Sequence, residues 1–476
     1  MTQTLGASPA LSEAQLSRLQ AAFGGEIVTP TDEGYHEATR LWNAIHDRRP
    51  AVLVRPRSSD EVATVIRFAR DHDLELAIRS GGHSAAGHSS CDGGLVLDLS
   101  GMRGVTVDPG VRTARANGGA LLGELDVAAQ AHGLVCPIGV IGHTGVAGLT
   151  LGGGVGRLQR QFGLTIDNLR AVELVTADGR LVRASATDEP DLFWGMRGAG
   201  WNFGVATAFE FDLRPFGPDL HRGLRTYPAT AAREVWEVFR DYAATAPDAV
   251  SVIYGIGRLE AGEGGEAADD QVTPTSRDPV VFVSFNHSGR ADAVEADTAG
   301  LRRGPEPLSV SAGSQPYLEV QTAHDLVLGW GRRSFIKGLY ADDLRPEALD
   351  AVVEQVTVGP AEGSFSVTVQ RGAISRVDEA ATAFTGRAAR FDLSADSAWD
   401  DAAEDEANRG WVRATMALVE PDAIGGRYAN ENADVGPEET RAIYGDAKVA
   451  RLAGLKRTWD PDNVFRLNHN VAPAVG

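Results

Sequence analysis

Residues 141–158 read IGHTGVAGLTLGGGVGRL, seven glycines in eighteen positions. The stretch RSGGHSAAGHSSCDGG at 79–94 is built the same way, and FGLTIDNL (162–169) and RGAGWNFGV (197–205) continue the style. Each cluster follows or bridges a predicted strand. Glycine allows positive φ and carries no Cβ, so successive backbone N–H groups can converge on an anion. A single cluster of this kind reads as tight turns. Four of them between residues 79 and 205 point instead to loops that hold a diphosphate along its length. No G-x-G-x-x-G opens a helix after the first strand, which excludes the nicotinamide-type fingerprint, and no G-x-x-x-x-G-K-[ST] is present, which excludes a P-loop.

The rest of the chain fits a large globular protein. Its 476 residues suggest two or three domains at about 150 residues each. A hydrophobic share of 43% and a charged share of 23% are ordinary for a globular protein. The net charge of −20 makes nucleic acid and anionic membrane poor partners. Two cysteines, Cys91 and Cys136, exclude a disulfide framework and a cysteine-rich metal centre, so no metal is expected. No signal peptide and no apolar run of about 18 residues is visible, and the expected location is cytoplasmic.

Ser12-x-x-Gln15 marks a capping box before a first helix. AVLVRP (51–56), LELAIRS (74–80), LVLDLS (95–100) and VTVDP (105–109) read as strands, with a helix from Ser58 to about residue 72 and another over 120–133. Residues 171–185 form a hairpin turning at Asp178-Gly179, and 205–213 is a further strand. Beyond about residue 217 the pattern is an antiparallel sheet backed by helices: strands at 280–289 and 365–373, a helix at 347–356. EAGEGGEAADD (260–270) reads as a surface loop, 444–459 as a last helix, and 464–471 as an extended tail. The expected class is α+β with two lobes.

RSGGHS at 79–84, GVAGLTLGGGVG at 145–156 and GLTIDNL at 163–169 resemble the flavin-binding domain of the vanillyl-alcohol oxidase and p-cresol methylhydroxylase superfamily. WDPDNVFRLNHNV (459–471), preceded by Tyr428-x-Asn430, is similar to its berberine-bridge-enzyme-like branch. The resemblance implies an FAD-binding lobe over 1–217, a substrate lobe over 218–425, and a segment over 426–476 that returns to the FAD lobe. It implies a small-molecule substrate oxidised by hydride transfer to flavin N5 from an alcohol, a sugar or a natural-product hydroxyl. O2 would be the electron acceptor and H2O2 the product. C–N oxidation or ring closure is the alternative, and a flavin carrier without turnover the reading from another class.

It also implies roles for residues. His83 would carry FAD through an 8α-histidyl bond, with Gly81, Gly82 and Ser84 offering N–H groups to the pyrophosphate. Arg79, Ser80, Gly87 and His88 belong to the same loop, His88 in a structural role. His143, Thr144, Gly145, Gly148, Leu149, Gly152, Gly153 and Gly154 follow on the second loop, and Asn202, Val205, Asn468 and Asn470 touch the cofactor from elsewhere; His469 stands where the family has glutamine. Cys136 is out of register with the family's second, cysteinyl attachment, which falls near Ile141. Asp167 and Asn168 either support the adenosine half or only brace their own loop. Tyr428 would act as base, its phenol depressed from about 10 by Arg427 or Lys337, or it is a core tyrosine. Lys337, Gln370, Arg387 and Trp411 are the substrate-lobe candidates.

Overall fold

A computed structural model describes residues 11–258, 278–327 and 329–474, without the side chains of Leu326 and Val327; the acidic stretch 260–270 lies outside them. The Ser12 hydroxyl accepts the Gln15 N–H and the Gln15 side chain accepts the Ser12 N–H, so the helix Glu13–Ala22 starts where the capping box predicts. Val52–Arg55 leads through the helix Ser59–Asp71, capped by Ser58, to Leu76–Arg79. Both strands lie parallel to Leu95–Asp98 between them, and Glu26–Val28 adds an antiparallel edge. Val62, Val65, Ile66 and Ala69 recur at helical spacing and bury one face of that helix against this sheet.

A second, five-stranded antiparallel sheet follows in the order Val105–Asp108, Thr113–Asn117, Val205–Asp212, Leu169–Val175, Leu181–Ser185. The glycine stretches leave and enter these two sheets, which brings them together at one end.

The remaining sheet has seven antiparallel strands, ordered Ser309–Pro316, Asp219–Pro228, Val280–His287, Val250–Gly257, Gly363–Val369, Phe391–Trp399, Arg333–Ala341. The helices Ala232–Thr245, Pro346–Val358 and Asp405–Val419 cover one of its faces in a single apolar core. Phe365, Val367 and Val369 point into that core, while Ser364, Ser366 and Thr368 alternate to the opposite face. The chain is thus a mixed helix-and-sheet protein of two lobes.

The last helix differs from its expected limits. It runs Pro437–Trp459 with a break at Gly445 (φ +70°), so the apolar periodicity from 444 catches only its second segment. Ile443, Tyr444 and Leu452 return it to the core of the five-stranded sheet. The tail after it is held by side chains instead of a strand ladder. Lys456 is buried, pairs with Asp460 at 2.7 Å and donates to the carbonyls of Asn202 and Phe465, while Asp460 accepts the N–H groups of Val464 and Phe465.

Candidate active site

The two main glycine loops touch. A Cβ on Gly81 would lie 2.2 Å from the Gly145 nitrogen, and one on Gly145 would lie 2.3 Å from the Gly81 nitrogen, so no other residue fits at either position without moving backbone. Above this contact lies a cavity of about 520 Å³ whose walls come from both lobes. Ser80, Gly81, Gly82, His83, Ser84 and His88 line it from the first loop, and Thr144, Gly145, Gly148 and Leu149 from the second. Tyr428 and Asn468 reach it from the C-terminal segment.

Other expected cofactor residues stand behind this lining. Arg79 is buried, pairs with Asp98 at 2.6 Å and donates to the Ala38 carbonyl, so it braces the loop. Gly87 packs under the His46 ring. Gly152, Gly153 and Gly154 press on Asn430, Phe384 and Thr165, and therefore set the wall that carries Tyr428. Asn202 accepts the Val471 N–H at 3.0 Å and ties down the tail. Val205 is buried between Gly204 and Ala206, which do line the cavity. Asn470 and His143 are also outside the lining.

His83 is held on three sides. Its ring stacks on Trp42 (4.7 Å, 17°), meets Trp330 edge-on (6.2 Å, 88°), and its Nε2 is 2.7 Å from His143 Nδ1. Burial, with a smaller push from His143, lowers its pKa to about 3, so the imidazole is neutral. His88 is lowered to about 3 for the same main reason and lies edge-on to His469 at 5.4 Å.

The opposite wall is the polar face of the seven-stranded sheet. Ser364 donates to Asp396 at 2.7 Å, and the Ser366 and Ser394 hydroxyls are 2.9 Å apart. Glu431 joins them from the segment of Tyr428. Burial raises Asp396 to about 6 and Glu431 to about 7, the latter with a further push from Asp396. Arg332 also lines the cavity but is held by Glu362 in two bonds of 2.7 and 2.8 Å.

The substrate-lobe candidates sit elsewhere. Lys337 follows Ile336, which lines the cavity, and so faces away; it pairs with Asp434 (2.8 Å) and Glu439 (3.2 Å). Gln370 continues the face of Thr368 past the end of the cavity and donates to Asp392. Arg387 is buried against Asp167 in bonds of 2.7 and 3.1 Å, and Trp411 belongs to the helical core. Asn168 donates to the carbonyls of Phe162 and Leu164, and the Asp167 carboxylate accepts the Leu164 N–H, so these two brace their own loop. Arg427 pairs with Glu420 at 2.8 Å. Neither Arg427 nor Lys337 depresses Tyr428: burial pushes that phenol upward, against the opposing N–H bonds from Val155 (3.1 Å) and Asn430 (2.9 Å). Cys136 is buried in the core of the five-stranded sheet, its thiol raised by burial, whereas Ile141 lines the cavity.

Glu431, Asp396 and the serines escape a sequence reading that looks for charged residues near glycines. The available signal is the strict alternation in FSVTV (365–369) and FDLSAD (391–396): a polar face shared by adjacent inner strands of a sheet marks a cavity.

The cavity suits a flavin. Apolar side chains of Ile78, Leu99, Leu122, Phe465 and Leu467 offer walls to a flat ring, and His469 Nδ1 and Asn468 Oδ1 are buried there with no hydrogen-bond partner among the described residues. Among the described residues no group of His, Cys, Asp and Glu is placed to hold a metal ion, and no helix is long and apolar enough to cross a membrane. The fold and the cavity are those of a flavoprotein oxidoreductase.

Comparison with known proteins agrees. Residues 50–185 match the FAD binding domain family, and residues 427–472 the family described as berberine and berberine like. The (R)-6-hydroxynicotine oxidase of Paenarthrobacter nicotinovorans is 30% identical over 460 residues, which cover 94% of this chain and 97% of the relative. The crystal structure of 6-hydroxy-D-nicotine oxidase from Arthrobacter nicotinovorans superposes with a TM-score of 0.82 at 29% identity, covering 95% of this chain and 98% of that one. Physcomitrella patens BBE-like 1 shares the fold, with a TM-score of 0.85 at 22% identity over 97% and 99% of the two chains. The chain belongs to the berberine-bridge-enzyme-like FAD-linked oxidoreductases of the vanillyl-alcohol oxidase superfamily.

Proposed function

We propose that this oxidoreductase is an oxidase that carries FAD on an 8α-histidyl bond from His83. It takes hydride from a C–H of a small hydroxyl-bearing substrate, an alcohol, a sugar or a hydroxylated natural product, and passes the electrons to O2, giving H2O2. In this reading residues 1–217 and 426–476 hold the cofactor and 218–425 the substrate. The supporting observation is one cavity with His83 and the glycine loops on one wall and Tyr428, Glu431 and the serine-and-carboxyl strip on another. When bound, FAD supplies the two-electron acceptor. The chain supplies position and proton handling. Ser364, Ser366 and Ser394 orient substrate hydroxyls, and Tyr428 takes the hydroxyl proton.

The phenol oxygen is prepared for that charge by the two N–H donors from Val155 and Asn430, while burial opposes it and is the larger effect. Its pKa is therefore raised, and the phenolate fraction grows as pH rises. Glu431, losing its proton near 7, places a negative charge beside the phenol above neutrality and moves that growth further to the alkaline side. Flavin reduction measured by stopped flow should accelerate steadily from about pH 7 upward. A profile flat through the alkaline range would remove phenol deprotonation from the reaction.

Amine oxidation is the second reading. Asp396 and Glu431 line the cavity, and the lining cation Arg332 is already paired with Glu362, so the wall complements an ammonium group; the relative named for hydroxynicotine is consistent with it. Anaerobic mixing with panels of alcohols, sugars and amines, followed by air and a peroxide assay, separates the two. Bleaching by amines alone selects the second. No bleaching with any of them defeats both.

A single flavin attachment is expected. Cys136→Ala should leave attachment and turnover near those of the parent chain and cost about 1 kcal/mol of stability. Intact and peptide mass analysis with a thermal melt checks this, and a flavin peptide containing Cys136 would overturn it.

A further inference from the structure

With His143 neutral, the hydrogen bonds around His83 decide which of its nitrogens carries a proton. His143 Nε2 lies 3.3 Å from the backbone carbonyl of Asp325, which can only accept, so that nitrogen carries hydrogen. Neutral His143 then has a bare Nδ1. The 2.7 Å contact to His83 Nε2 requires a hydrogen on one side, and it must come from His83. His83 Nδ1 is left with a free lone pair, and it accepts no hydrogen bond from the described residues. Were His143 charged, both of its nitrogens would donate, His83 Nε2 would accept, and the proton would sit on His83 Nδ1, blocking it.

We propose that His143 is the proton acceptor that makes His83 a nucleophile toward the flavin 8α carbon. The proposal rests on the reading of His83 as the attachment point and adds a second residue to it. The bond formed is His83 Nδ1 to the 8α carbon. One hydrogen leaves the 8-methyl group and the other leaves His83 Nε2 for His143 Nδ1. The electron pair released reduces the flavin, and O2 takes two electrons and two protons to restore it, leaving H2O2. Once protonated, His143 donates from both nitrogens, to His83 and to the Asp325 carbonyl. The carboxylate of Asp325 holds the same loop by accepting the Gly142 N–H at 2.7 Å, so one residue positions both the loop and the His143 ring. Trp42 and Trp330 keep the His83 ring from turning away.

Asparagine and alanine at 143 test this. The amide oxygen of His143→Asn can accept from His83 Nε2 and preserve its tautomer, but it cannot take the proton; His143→Ala does neither. Each purified variant is incubated with FAD in air, and the flavin left on acid-precipitated protein is followed over time, with occupancy read by intact mass. Both variants should bind FAD yet attach it roughly 10²- to 10⁴-fold more slowly than the parent, the scale of general base catalysis. Added imidazole should speed attachment in the alanine variant, which a purely structural role would not allow. Attachment at the parent rate in both variants overturns the proposal. Loss of FAD binding in both also overturns it, by assigning His143 to holding the cofactor. A parent chain that never attaches flavin defeats the reading of His83 itself, a result distinguishable from either.

Discussion

In His83→Ala all of the flavin should leave with the supernatant on acid precipitation, whereas in the parent chain the colour should stay in the pellet. His83 lines the cavity, is neutral because burial lowers its pKa to about 3, and has one nitrogen engaged and one free of hydrogen bonds from the described residues. Both cysteines are buried away from the cavity with thiols raised by burial, Cys91 to about 12, so neither offers a thiolate to replace it. The Gly81–Gly145 contact and the apolar walls do not depend on His83, so the variant should still bind FAD reversibly. An attached imidazole withdraws electrons from the ring, and without it the flavin potential should fall and reduction by substrate should slow. Dye equilibration against the parent chain measures the potential. Colour retained in the variant's pellet would move the bond to His88 or His469, the other imidazoles on the same wall with lowered pKa values.

The parts of this site legible in the sequence are those where backbone decides. Gly81 and Gly145 are glycines because two chains pass at contact distance, and that need is written at the position itself. Side-chain direction on a strand is not written so directly. Lys337 and Ile336 differ by one step of a two-residue alternation, and only the packed sheet tells which of them faces the cavity. Arg387 shows the same limit. A lone arginine in a loop gives no sign that Asp167, more than two hundred residues earlier, will neutralise it in the interior. Tyr428 lay in a readable motif, but the expected source of its activation did not survive folding. Arg427 and Lys337 are spent on Glu420, Glu439 and Asp434, and the groups that do touch the phenol are a backbone N–H and an amide. Such partners come from chain geometry, which periodicity does not encode.

Tyr428→Phe should slow anaerobic flavin reduction by roughly 10²- to 10⁴-fold, equivalent to about 3–5 kcal/mol of barrier. The phenyl ring keeps its place beside Phe384, 6.1 Å away, so substrate affinity should change far less than the rate. Losing the oxygen removes the acceptor of two N–H groups. Asn430 keeps its bond to the Leu149 carbonyl at 3.1 Å, but Val155 N–H is left unpaired, which costs about 1–3 kcal/mol of stability. A thermal melt therefore accompanies the kinetics, to separate a weaker fold from a slower reaction. Reoxidation by O2 should not change, because the phenol takes no part in it. Glu431→Gln is the contrasting variant: it removes the charge that adds to burial in raising the phenol pKa, so the alkaline rise in reduction rate should begin at lower pH while its upper limit stays near that of the parent. If instead the Phe variant reduces its flavin within a few-fold of the parent and the Gln variant is the slow one, the proton goes to the carboxyl. A group titrating near 7 in the same cavity is suited to that task at neutral pH, where a phenol raised by burial is almost wholly protonated.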